Sequence, residues 1–314
     1  MGDLGAGTDT VSVTGNSPVT VTLPSTFRNV ETIRFANTTS DVSVTTDEAN
    51  ASGSLTLTID ASALTTGRFT LAGGAEGTTN AYSVTGGSSA DLITTGNGND
   101  TVVAGSGNDT ITGNDGNDSI NGGGGADNIL GGAGNDILIG EAGADDIFVG
   151  TGVDLVYLTT FSDAPTATTF GDRVVFNHAA GDMNQVVGLI TNSGNVESAG
   201  TVISVTGIDK VFGFGVAAQI AVDPNFTLST TIVRNGGSIK TTAGANNQSQ
   251  GLIRGNYDAT AQTFTISNTG TSTMYFYDAV DDAAFTIRGV VLVGYVDAAS
   301  DDTGATTGLT GAGG

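Results

Sequence analysis

Gly122-Gly123-Gly124-Gly125-Ala126-Asp127-Asn128-Ile129-Leu130 runs directly into Gly131-Gly132-Ala133-Gly134-Asn135-Asp136-Ile137-Leu138-Ile139, and the second nonad repeats the residue types of the first. Outward from this pair the nine-residue frame begins at Gly86, Thr95, Ala104, Gly113, Gly122, Gly131, Gly140 and Val149. The sixth position is always aspartate: Asp91, Asp100, Asp109, Asp118, Asp127, Asp136, Asp145 and Asp154. The eighth is always aliphatic: Ile93, Val102, Ile111, Ile120, Ile129, Leu138, Ile147 and Val156. The fourth is glycine in seven of the eight nonads, with Ser89 the exception. A disordered Gly/Asn linker would not keep this register, so residues 86–157 are read as a folded repeat.

Each position has a physical role. The aliphatic residue is the one inward side chain of a very short strand, and stacking such strands makes a narrow aliphatic ladder. Glycine permits positive φ in tight turns and lets backbone carbonyls converge. Aspartate supplies a hard oxygen ligand of the kind Ca²⁺ takes, six to eight at a time. If two nonads make one coil, aspartates of alternate nonads lie one above the other. Asp91, Asp109, Asp127 and Asp145 then line one edge, and Asp100, Asp118, Asp136 and Asp154 the other. Strands stack about 4.8 Å apart, and two carboxylates at that spacing repel by roughly 3–4 kcal/mol at an effective dielectric near 20. With 19 glycines in this zone to order as well, the expectation is disorder without metal and folding coupled to divalent-ion binding.

The remaining chain is also strand-like. Thr, Ser, Ala, Val and Gly dominate, Cys and Trp are absent, and alternating runs such as Val19–Leu23, Val30–Phe35 and Leu55–Ile59 precede the repeat. The fold class expected is all-β: a parallel β-roll or β-solenoid at 86–157, flanked by a strand-rich, solenoid-like region at 1–85 and a β domain at 158–314 with a loose Gly/Thr-rich tail. The net charge of -23 and the presence of only Lys210 and Lys240 as lysines argue against a nucleic-acid partner. No apolar run is long enough for a transmembrane segment. The first residues, Met1-Gly2-Asp3-Leu4-Gly5, lack the basic and apolar parts of a signal peptide, so export would need another route.

The pattern G-G-x-G-x-D-x-U-x, with U aliphatic, resembles the RTX (haemolysin-type calcium-binding) repeat, and 122–130 and 131–139 match it fully. The resemblance implies a ligand set: carbonyls of positions two and four and the aspartate of one turn, with carbonyls of positions one and three and the aspartate of the turn two nonads on. About six Ca²⁺ sites follow. Gly87, Ser89 and Asp91 would face Ala104, Ser106 and Asp109. Gly96, Gly98 and Asp100 would face Gly113, Asp115 and Asp118. Gly105, Gly107 and Asp109 would face Gly122, Gly124 and Asp127. Asn114, Gly116 and Asp118 would face Gly131, Ala133 and Asp136. Gly123, Gly125 and Asp127 would face Gly140, Ala142 and Asp145. Gly132, Gly134 and Asp136 would face Val149, Thr151 and Asp154. Asn114 and Glu141 stand where the pattern has glycine, and Ser89 departs at position four. Asp163 and Asp172 extend the register beyond Asp154, but Pro165 falls on an aliphatic position, so regular coiling is expected to fail there.

Catalytic constellations are missing. There is no H-E-x-x-H and no G-x-S-x-G, and a single histidine with no cysteine leaves little for a nucleophile–base pair. His178, Asp281-Asp282 and Asp301-Asp302 read as turn residues. The family resemblance implies type I secretion by a Gram-negative bacterium. The scarcity of Lys, Cys, Met, Trp and His across the whole chain resembles calcium-dependent surface-layer proteins. The expectation is a secreted, non-enzymatic, self-associating cell-surface protein, with cell-surface polysaccharide as a further partner. The rival readings are an RTX adhesin or biofilm protein, and the calcium module of a secreted hydrolase.

Overall fold

The computed structural model describes residues 2–3, 8–15, 17–23, 27–28, 30–36, 39–46, 56–73, 81–158, 172–176, 202–212, 219–222, 232–235, 238–241, 250–267, 270–278 and 287–293. Among them every regular element is a strand. His178, Asp163, Pro165, both Asp-Asp pairs and the C-terminal tail lie outside the described residues. The chain divides into two units, residues 1–150 with 161–173, and residues 151–160 with 174–314.

The first unit is a parallel β-solenoid. Strands Thr10–Thr14, Thr32–Ala36, Thr56–Asp60, Ala81–Thr85, Thr101–Ser106, Ser119–Gly124 and Ile137–Ala142 follow one another along one sheet. Val19–Thr22, Val42–Thr45, Phe69–Ala72, Leu92–Thr94, Thr110–Asp115, Asn128–Ala133 and Asp146–Thr151 follow one another along the other. Successive strands in the chain alternate between the sheets, which is the topology the repeat predicts. All eight aliphatic residues at the eighth position of the nonads are buried, at 0–1% exposure, as the ladder requires.

The boundary at 85/86 is a change of coil length and not a break in pairing. Val102 pairs with Val84 across it, and Ile93 pairs with Leu71. Before it, Ile59 pairs with Ile33 and with Val84, so each coil there is longer than two nonads and the two coils differ in length. After it, Ile111 pairs with Ile93 and Ile129, and Ile120 with Val102 and Leu138, every partner being two nonads away. The longer coils bury two residues per strand: Ile33 and Phe35, Leu57 and Ile59, Phe69 and Leu71, Tyr82 and Val84. Phe35 and Phe69 pack with ring centroids 6.3 Å apart. Burial of such side chains contributes about 1.5–3 kcal/mol each, so this part carries a conventional apolar core.

In the second unit, Leu155–Tyr157 pairs in parallel with Lys210–Phe212, which pairs in parallel with Ile287–Val293. From there the sheet turns antiparallel through Ser272–Asp278, Gln250–Asp258 and Thr263–Ile266 to Val202–Ser204. Val205, Ile208, Val211, Phe264, Ile266, Met274 and Val290–Leu292 fill its core. Tyr157 stacks on Phe212 with centroids 4.8 Å apart.

Candidate metal centre

From Ala104 onward each turn between roll strands is set by two residues in the positive-φ region. Position two is positive at Gly105, Asn114, Gly123, Gly132, Glu141 and Gly150, and position four at Gly107, Gly116, Gly125, Gly134, Gly143 and Gly152. Asn114 and Glu141 therefore keep the turn despite their side chains, at φ 71° and 69°. At Gly125 the reason for glycine is twofold, since φ is +132° and a Cβ would collide with the Gly107 carbonyl of the coil before.

These turns arrange oxygens. The aspartates stack as a ladder in which each backbone amide donates to the Oδ1 of the next aspartate in the column. Asp91 N donates to Asp109 (2.7 Å), Asp109 N to Asp127 (2.8 Å), and Asp127 N to Asp145 (2.9 Å). In the other column Asp100 N donates to Asp118 (2.8 Å) and Asp118 N to Asp136 (2.9 Å). The carboxyls of this ladder are buried at 1–2% exposure. The Oδ2 atoms of Asp100, Asp109, Asp118 and Asp127 accept no hydrogen bond. An unsatisfied buried carboxylate oxygen is costly and calls for a cation or a proton.

The Oδ2 atoms share their space with carbonyls from the next coil. Beside Gly113, where a Cβ would stand, Asp118 Oδ2 and the Gly131 carbonyl converge, and beside Gly122 Asp127 Oδ2 and the Gly140 carbonyl do so. Asp136 Oδ2 and the Val149 carbonyl meet in the same way beside Gly131. The position-three carbonyls of Gly124, Ala133 and Ala142 accept from the amides of Gly107, Gly116 and Gly125, at 2.7 Å each. A carbonyl has two lone pairs, so such a bond leaves capacity for a cation. Among the described residues no three acidic or histidine side chains group together, so carbonyls must make up most of any shell. Two aspartates plus converging carbonyls form an all-oxygen donor set, which suits Ca²⁺ better than softer metals. When bound, the ion would supply the positive charge that these stacked carboxylates lack.

The electrostatics agree. Burial pushes Asp109 and Asp118 up to about 7, with the neighbouring aspartates of each column adding to the rise. Burial also raises Asp100 and Asp136 to about 6, and shifts Asp91 and Asp127 upward. No lysine or arginine lies between Arg68 and Arg173, so the roll has no internal counter-charge.

The expected ligand sets are not equivalent. The six turns from Ala104 to Gly152 carry the positive-φ pair, whereas those at Gly86–Ala90 and Thr95–Asn99 contain no positive φ. Gly87, Ser89, Gly96 and Gly98 therefore lack the turn geometry of their counterparts, so the first two turns differ from the rest, as the departure at Ser89 suggested for the first.

Two further aspartates were not foreseen in their places. Asp145 N donates to Asp172 Oδ1 (3.2 Å), so Asp172 continues the first column after a step of 27 residues. Asp154 N donates to Asp209 Oδ1 (2.9 Å), 55 residues on. Each is followed by a base: Arg173 makes a bidentate pair with Asp146 at 2.7 Å, and buried Lys210 sits beside Asp209. Burial lowers the Lys210 pKa, and Asp209 partly offsets this. The D-[RK]-V pattern at 172–174 and 209–211 was the available signal.

A parallel roll with stacked aspartates and carbonyl-rich turns defines a calcium-binding repeat. The sequence comparison agrees: residues 83–111, 94–129 and 121–156 match the family of the RTX calcium-binding nonapeptide repeat, whose unit is four copies. The chain thus carries RTX repeats over about a quarter of its length. No curated protein and no solved structure matches it significantly.

Proposed function

We propose that this is a secreted structural protein that folds on meeting extracellular calcium and then self-associates into a surface layer. The observation that carries the reading is the pair of buried aspartate columns in a stretch with no Lys or Arg from residue 69 to 172. Such a stretch is poorly stable where divalent ions are scarce and stable where they abound. That difference suits a chain exported unfolded, by a type I route, from a Gram-negative cell. The protein is non-enzymatic in this reading. Its acidic copies, each at net charge -23, need cations between them to approach. Cell-surface polysaccharide is the anchor the reading favours.

Electron microscopy with and without calcium tests it. Sheets or tubes that form with calcium and dissolve on chelation are the expected result. Dispersed particles at all calcium concentrations would overturn the lattice reading in favour of an adhesin. A catalytic motif encoded upstream in the same reading frame would favour the hydrolase module.

A further inference from the structure

We propose that the first turn of the roll is a metal-free cap, and that residues 56–73 and 81–95 form a calcium-independent template on which the roll from residue 104 onward is built. The inference rests on the calcium-dependent folding proposed above, and adds where that dependence begins.

Asp91 differs from the aspartates above it. Both of its oxygens are satisfied by backbone amides, Oδ1 by Phe69 N (2.8 Å) and Oδ2 by Gly87 N (2.7 Å). The charge of Arg68 favours the ionised form of Asp91. Asp91 Oδ2 and the Ala104 carbonyl do converge beside Gly86, as their counterparts do in later turns, but Asp91 Oδ2 is already engaged by Gly87 N, and the turn at 86–90 rests on Leu64 in place of an earlier roll turn. A Cβ on Gly87 would meet Leu64, and Ser88 N donates to the Leu64 carbonyl at 2.9 Å. Leu64 is fully buried.

The second column is sealed on its carbonyl side. Thr95 stands where Gly113 and Gly131 of the same column have glycine, and its Oγ1 donates to the Gly113 carbonyl (2.9 Å). Asn114 Nδ2 donates to the Thr95 carbonyl (2.6 Å). Two carbonyl oxygens at the lower end are thus engaged by side chains. Tyr82 N holds Asp100 Oδ1 (2.7 Å), and the Gly96 amide favours its charged form, although Oδ2 finds no donor. Beneath both turns lies the apolar core of Leu57, Ile59, Leu64, Phe69, Leu71, Tyr82 and Val84, none more than 2% exposed. The edge of that core offers strands Phe69–Ala72 and Ala81–Thr85 for the next coil to pair with, so propagation from it avoids a separate nucleation step.

Hydrogen exchange by mass spectrometry on the full chain tests this, in chelator and in calcium. In chelator, amides of 56–73 and 81–95 are expected to exchange about a hundredfold more slowly than those of 104–149. Calcium should bring 104–149 to comparable protection. Loss of protection in both segments in chelator would overturn the template and leave calcium-dependent folding intact. Protection of both in chelator would overturn the calcium-dependent reading and the template's boundary with it. T95V gives a second measurement: the roll's calcium midpoint should rise severalfold while 56–73 stays protected in chelator. An unchanged midpoint would overturn the role of the Thr95 seal.

Discussion

The coils that carry Ile33 to Ile59 and Ile59 to Val84 are longer than those that carry Ile93 to Ile111 and Ile120 to Leu138, and they bury two large side chains per strand where most strands of the shorter coils bury only the aliphatic residue in the eighth position. The long coils hold together by ordinary apolar burial. The short ones pair a thin aliphatic ladder with two columns of carboxylates, and the Oδ2 atoms of Asp109, Asp118 and Asp127 accept no hydrogen bond. One backbone topology therefore serves two stabilising mechanisms, and only the second depends on the surroundings of the protein.

The largest test of that contrast is chelation. Circular dichroism should lose the β contribution of the short coils and regain it on adding calcium, because each adjacent carboxylate pair repels by roughly 3–4 kcal/mol when uncompensated. A spectrum indifferent to chelator would end the distinction between the two regions. Core truncation comes next. Phe69→Ala should cost about 3–5 kcal/mol, seen in thermal melts with or without calcium. Ile120→Ala should cost about 2–5 kcal/mol, visible only as a higher calcium midpoint and a lower melt in calcium.

Acid should act oppositely with and without the ion. Asp109 and Asp118 lie near 7 and Asp100 and Asp136 near 6 in the fold, against 3.8 in an unfolded chain. In chelator, the protonated carboxyls stabilise the roll fully below pH 3.8, and that stability disappears as pH rises through about 6–7. In calcium the carboxyls must ionise to bind, so the calcium midpoint should fall as pH rises over the same range. Titrations of ellipticity against calcium at several pH values check both signs.

Turn geometry gives a smaller effect. Gly125→Ala should cost about 2 kcal/mol or more, measured in calcium. Its neighbour Gly124, with open space around its Cβ position, should accept alanine within about 0.5 kcal/mol. Smallest is Arg173→Ala. Its pair with Asp146 is over a third exposed on both sides, so the loss should stay below about 1 kcal/mol in the same melts.

The short coils were legible in the sequence because their period is strict. An aspartate and an aliphatic residue every nine positions leave one frame, and that frame yields the strands, both columns and the ladder. The pairing of Ile33 with Ile59 and of Ile59 with Val84 was not legible, since the two steps are unequal and leave no period to detect. The same limit hid Asp172. A frame of nine points first to Asp163, but a longer connection carries the column on at 172. Ser89 marked the first turn as irregular, yet nothing local marked Thr95 as a seal among the Gly, Ala and Val residues that share its position. That role appears only when Asn114, from the next coil, lies next to it.

The two-nonad step has a consequence for how such a chain can change length. Deleting two adjacent nonads would shorten the stack by one strand spacing, about 4.8 Å, and leave every remaining side chain on its own face. Deleting a single nonad would deliver the rest of the chain to the opposite sheet, exchanging the two columns. The roll therefore acts as a ruler graduated in pairs of repeats, and viable insertions or losses within it should come as whole pairs of nonads.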